Sequence, residues 1–155
     1  MSSVQDEFGY ATAVDLRQAY AGGDVGPVEV ARSVLERIDA LDRGINAFSV
    51  VLHEEAMAAA KQSEQRLRNG EARPLEGIPV TIKDAYDVAG HATSMGSLAF
   101  KAPVATADNV VVERLRKAGA VILGKTTMSE FAWSGLSRNP VTGVTHNPWG
   151  RGLNA

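Results

Sequence analysis

Two apolar runs separated by one amphipathic helical stretch narrow most sharply what this chain can become. Pro79 to Lys83 reads as a buried strand, and Ala120 to Leu123 reads as another. Between them Asp108 is placed to cap a helix that carries Val112, Leu115 and Arg116, and Gly119 is placed to close it. A strand, a crossover helix and a second strand bury their faces together only as a parallel pair, so the expected class is α/β. Upstream the pattern is helical. Thr12 with Asp15 marks one helix start, and Gly22-Gly23 ends that helix. Pro27 opens a second helix whose Val30, Val34, Leu35, Ile38 and Leu41 recur at helical spacing up to Gly44. Ala47 to Leu52 is a short strand candidate, and Glu54 to Asn69 has the Ala, Glu, Gln, Lys and Arg content of a third helix. The composition changes at Glu71-Ala72-Arg73-Pro74, which divides a helical segment, 1–72, from the first part of an α/β core, 73–155. From Ser134 onward Gly, Asn, Pro and Thr dominate, as in a loop ordered by tertiary contacts.

Composition removes several function classes. With 45% hydrophobic and 22% charged residues over 155 positions, the chain has the balance of a folded globular protein. A formal net charge of -2, spread along the chain, supplies no basic face for nucleic acid. The lack of cysteine excludes disulfides, thiolate zinc sites and a cysteine nucleophile. His53, His91 and His146 are far apart and carry no ligand spacing, so no metal site is expected. Met1 to Tyr10 has no signal-peptide pattern, and no run approaches the ~18 apolar residues of a membrane span. The expected location is the cytoplasm, with no membrane partner.

Lys83 is the residue with the clearest chemical promise. It falls where a strand carrying Ile78, Val80 and Ile82 ends, and open α/β sheets keep their ligand sites at such ends. A free lysine titrates near ~10.4, whereas a base useful at neutral pH needs ~7 to 8. Burial would have to supply the difference, roughly 4 kcal/mol. A strand end partly screened from water can do so.

The motif around Lys83 carries a resemblance. Leu75-Glu76-Gly77-Ile78-Pro79-Val80-Thr81-Ile82-Lys83-Asp84 is similar to the strand that delivers the catalytic lysine in amidase signature enzymes. The similarity continues through Thr93-Ser94-Met95-Gly96-Ser97, then Ala118-Gly119-Ala120-Val121-Ile122-Leu123-Gly124-Lys125-Thr126-Thr127-Met128-Ser129-Glu130-Phe131, and then Asn147-Pro148-Trp149-Gly150. Ile45-Asn46-Ala47-Phe48 resembles the start of the same family. The resemblance implies an amidase-signature-like mixed sheet flanked by helices, incomplete at its C-terminal side. It also implies hydrolysis of a carboxamide C–N bond without metal or organic cofactor. In that family a neutral lysine, here Lys83, accepts a proton from a serine on a cis peptide. That serine activates a second, nucleophilic serine, and backbone N–H groups of a glycine-rich segment stabilise the oxyanion. Met128 and Ala132 match positions near the family's pocket and become candidates for substrate contact, with helix packing as the simpler role for each.

In family members a Gly-Gly-Ser-Ser-Gly-Gly element follows the Asn-Pro-Trp block, whereas this chain reads Arg151-Gly152-Leu153-Asn154-Ala155. The expectation is therefore an N-terminal part that is inactive by itself. It would leave apolar surface uncovered and would associate with itself or with a complementing C-terminal piece. Ser94 and Ser97 are read as loop hydrogen-bonding residues, and Asp84 as a solvated strand end. The resemblance leaves several substrates open: a small aliphatic or aromatic amide, a urea derivative, a fatty amide, or glutamine feeding a transfer-RNA amidotransferase. Two other functions compete. One is a non-catalytic interaction subunit. The other is a phosphate-binding loop, because Gly119 to Thr126 matches that spacing literally, although strand formers fill the stretch where the loop should turn.

Overall fold

A computed structural model describes residues 8–100 and 103–150, together with Leu153 and Ala155. Two compact units emerge. The first takes the described residues up to Ala40 with Leu52–Val80 and Leu115–Leu123; the second takes Leu41–Val51, Thr81–Arg114 and the described residues from Gly124.

In the first unit, helix α1 (Ala13–Gly22) starts where its sequence dictates. Asp15 N–H donates to Thr12 Oγ1 at 3.1 Å, and Thr12 N–H donates to Asp15 Oδ2 at 2.9 Å. The Thr12 hydroxyl and backbone bonds hold the Asp15 carboxyl below its ordinary range. Gly23, at φ 77°, supplies the left-handed residue that ends the helix. Helix α2 (Pro27–Ile45) buries Pro27, Val30, Ala31 and Leu35 on one stripe. Helix α3 (His53–Arg68) buries Ala56, Ala60 and Ser63, small residues that allow close packing. Leu16, Tyr20, Val30 and Ile78 form one buried cluster, with Phe8, Val25, Leu67 and Leu75 packed against them. Burial pushes the Tyr20 phenol well above its usual value, and its hydroxyl donates to the Gly77 carbonyl at 3.2 Å.

A three-stranded sheet runs in the order β1-β3-β2, from β1 (Phe48–Val51), β2 (Pro79–Lys83) and β3 (Val121–Thr126). The pairs Val121 N to Ile78 O and Asp84 N to Thr126 O advance together along both strands, as parallel strands require. The β1–β3 pair is antiparallel, which makes the sheet mixed. Helix α4 (Val110–Ala118) connects β2 to β3. Its cap differs from the sequence expectation: Asn109, not Asp108, accepts from the first turn, at Val111 N–H (3.0 Å). Asp108 instead accepts from the Ala89 N–H at 2.8 Å.

The segment read as a loop after Ser134 contains a small hairpin, β4 (Arg138–Asn139) and β5 (Gly143–Val144). Asn139 builds its turn. Its Oδ1 accepts from the N–H groups of Val141 and Thr142, both at 2.8 Å, while Nδ2 donates to Met128 O at 2.7 Å. Asn46, left-handed at φ 58°, ties the hairpin down by donating to Thr142 O and Val144 O. No helix among the described residues is long and apolar enough to cross a membrane.

Candidate active site

The site grows out of the alternation of β2. Ile82 and the following Asp84 turn inward, at 3% and 4% exposure, so Thr81 and Lys83 face the other way and are exposed. The sequence places Lys83 at the strand end, and the structure agrees. It does not supply the dry surroundings expected there, because a two-fold strand with one buried face leaves the other face to water.

Asp84 overturns its own expectation as well. Rather than a solvated end, it is a buried carboxylate with every oxygen engaged. Oδ1 lies 2.8 Å from Lys125 Nζ, and Oδ2 accepts from Ser94 Oγ at 2.5 Å and from Ser94 N–H at 3.3 Å. Lys125 is completely buried, and Nζ also donates to Ala92 O and Thr93 Oγ1, both at 2.6 Å. Those three bonds use all three ammonium donors, which is what a buried charge requires. The signal in the sequence was a lone lysine inside an apolar strand; its partner was not legible.

The loop after β2 is fastened to the same residue and to Ser94. Met95 N–H donates to Asp84 O at 3.2 Å, Ser94 Oγ accepts from Gly96 N–H at 3.1 Å, and Phe131 N–H donates to Met95 O at 2.9 Å. Met95, Phe131 and Ala132 all adopt left-handed backbone, at φ 51°, 50° and 57°, in the two segments this last bond joins. Such strain is held only where the surroundings enforce it, and it concentrates at functional sites. Ala132 is exposed in the short 3₁₀ turn Glu130–Ala132, whereas Met128 is 3% exposed, so the structure places the two candidates differently. An open cleft of about 680 Å³ lies alongside, lined by Ser129, Glu130, Trp133, Leu136 and Arg138. Ser94 and Ser97 hydrogen-bond within their loop, as expected.

Nucleotide binding finds no support in this geometry. The stretch between Gly119 and Thr126 that would have to turn around phosphate is strand β3, and Lys125 is committed to Asp84. No group of three or more metal-ligating side chains occurs among the described residues.

The family model described as Amidase matches residues 29–155. The chain belongs to the amidase signature family. Its relatives include a glutamyl-tRNA(Gln) amidotransferase component from Thioalkalivibrio sulfidiphilus, 39% identical over 89% of this chain. The native peptide amidase of Stenotrophomonas maltophilia superimposes with a TM-score of 0.85 at 32% identity over 94% of the chain. A bacterial aryl acylamidase of the amidase signature family gives 0.86 at 25% identity over 94% of the chain. The match covers only 28% of the amidotransferase component and 31% of each of the two amidases, so the chain spans about three tenths of the length of its relatives.

Proposed function

We propose that the complete protein hydrolyses a carboxamide C–N bond and that Lys83 is its proton acceptor. The observation carrying this reading is the direction of Lys83: β2 turns Asp84 inward and offers the Lys83 amine on the open face at the strand's C-terminal end. In the proposed reaction Lys83 takes a proton from the cis serine of a Gly-Gly-Ser-Ser-Gly-Gly element, and that serine deprotonates a second, nucleophilic serine further along the chain. The second serine's oxygen attacks the amide carbonyl. The tetrahedral intermediate collapses, the C–N bond breaks, and ammonia or an amine leaves with a proton returned through the relay. Water then cleaves the acyl ester. A covering segment would exclude water from Lys83 and lower its affinity for a proton. Ala132, exposed on its strained turn, and Met128, buried just before that turn in the chain, are proposed to meet the substrate.

The substrate class is a small-molecule amide. A cytoplasmic location is part of the reading, supported by a cysteine-free composition that suits a reducing compartment. We further read the domain division at residue 72 as the point where the helical opening gives way to the part of the chain that carries Lys83. The relatives' greater length supports a complementing C-terminal portion bearing both serines. A non-catalytic role as an interaction subunit is favoured by one observation, the exposure of Trp133 and Trp149 at 83% and 93%.

The test supplies the corresponding C-terminal two thirds of a family amidase, in cis or as a separate chain, and measures ammonia release from a panel of carboxamides. Activity that falls about 10²- to 10⁴-fold in Lys83→Ala is the expected result. Activity indifferent to Lys83 overturns the assignment, and a folded assembly inert towards every amide favours the interaction reading.

A further inference from the structure

Lys83 and Asp84 are neighbours in the sequence. A carboxylate close to an amine favours its protonated form, which is the wrong form for a proton acceptor. Asp84 is therefore a hazard to the proposed chemistry unless its charge is taken up elsewhere. The structure shows where it goes: into the fully buried Lys125, at 2.8 Å, on the inward side of β2. Nothing in the reaction proposed above uses Lys125.

We propose that Lys125 is a positioning residue for Lys83. It holds the Asp84 carboxylate inward and charge-balanced, so that this charge is kept from Lys83 and the amine stays available. Ser94 completes the device. Its hydroxyl and N–H occupy Asp84 Oδ2 while Lys125 occupies Oδ1, so neither oxygen is left to swing outward. Thr93 Oγ1 and Ala92 O hold Nζ in place from the opposite side. Backbone bonds fix the intervening chain: Asp84 N–H donates to Thr126 O at 2.9 Å, and Met95 N–H donates to Asp84 O. His91 lines the same small cavity as Asp84 and Ser94, and Glu130 approaches Gly96 of the adjoining loop through its backbone. The inference rests on reading Lys83 as the proton acceptor, but its test needs no activity.

The test is competitive trace acetylation of the 155-residue chain with acetic anhydride, read lysine by lysine by mass spectrometry from neutral to alkaline pH. Lys61 and Lys117 are internal controls. In Lys125→Met the unbalanced Asp84 should slow Lys83 labelling about tenfold at pH 8, equivalent to one pKa unit, and leave its fully deprotonated rate unchanged. Asp84→Asn/Lys125→Met should bring Lys83 back to within about twofold of the unmodified chain. A merely structural Lys125 would instead change Lys83 labelling at every pH alike. That outcome, an unmoved profile in Lys125→Met, or failure of the double variant to recover would each overturn the proposal. If Lys125→Met loses its helical circular dichroism, Thr93→Val takes its place. By removing one neutral partner of Nζ it should shift Lys83 in the same direction by a few-fold, and no shift would again overturn the proposal. A completed enzyme indifferent to Lys83→Ala would sink the catalytic reading and leave the labelling result standing.

Discussion

Glu76 is a buried carboxylate that ties the stability of the chain to acid. It is 3% exposed and accepts from Ser63 Oγ at 2.6 Å and from Arg73 Nε and Nη2 at 2.6 and 2.7 Å. Burial works to raise its pKa, but the Arg73 and Ser63 hydrogen bonds together outweigh it and hold the carboxyl below its ordinary value. A carboxyl with a lowered folded pKa contributes stability that is complete above the unfolded value, near ~4.3, and is lost as pH falls through the folded one. The urea midpoint should therefore drop as the solution is acidified below that value. Glu76→Gln should show a lower midpoint at neutral pH and a flatter acid limb. Gly119 belongs to the same knot. Its φ is +99°, and an added Cβ would lie 2.8 Å from Glu76 Cα, so Gly119→Ala should cost about 2 kcal/mol in urea unfolding. At this scale the sequence revealed the strand-end lysine from its motif. It could not reveal that Asp84 points inward, because the direction of a strand-end carboxylate depends on which partner lies across the sheet.

At the scale of elements, the helices were legible because their signals are local: the Thr12–Asp15 box, Pro27 at the start of α2, and a run of helix formers in α3. The α4 cap was misplaced by one residue, since Asp108 and Asn109 are both competent caps and Asp108 instead accepts from the Ala89 N–H of a separate turn. The β4–β5 hairpin was missed because two-residue strands carry no period, and its register comes from Asn139 and Asn46 side chains. Strand β1 joins β3 at a tight point. A Cβ on Gly124 would lie 2.5 Å from Val50 O, so Gly124→Ala should destabilise by about 2 kcal/mol. Hydrogen exchange should locate that damage in the β1 amides, while α1 and the Tyr20 core keep their protection.

At the scale of the whole molecule, the chain carries a buried core and a set of large apolar side chains in water. Phe131, Trp133, Leu136 and Trp149 are all exposed, by 48%, 83%, 52% and 93%. Apolar residues left in water in this way drive association. Sedimentation velocity of the isolated chain should show self-association that grows with concentration. The fluorescence of its two tryptophans, Trp133 and Trp149, should shift to the blue when a C-terminal amidase portion is added. Emission unchanged by that addition would argue against these residues being the docking surface. By itself the amino-acid sequence determined the helices and principal strands, the family, and the place of Lys83 at the end of a strand. Those depend on backbone preference, spacing and motif blocks, which are properties of neighbours along the chain. Tertiary structure alone decided that Lys83 lies open, that Asp84 is closed in by Lys125 and Ser94, and that a hairpin forms after Ser134. A buried charge takes its partner from whatever folding brings within 3 Å, and that distance is not written in any local run of residues.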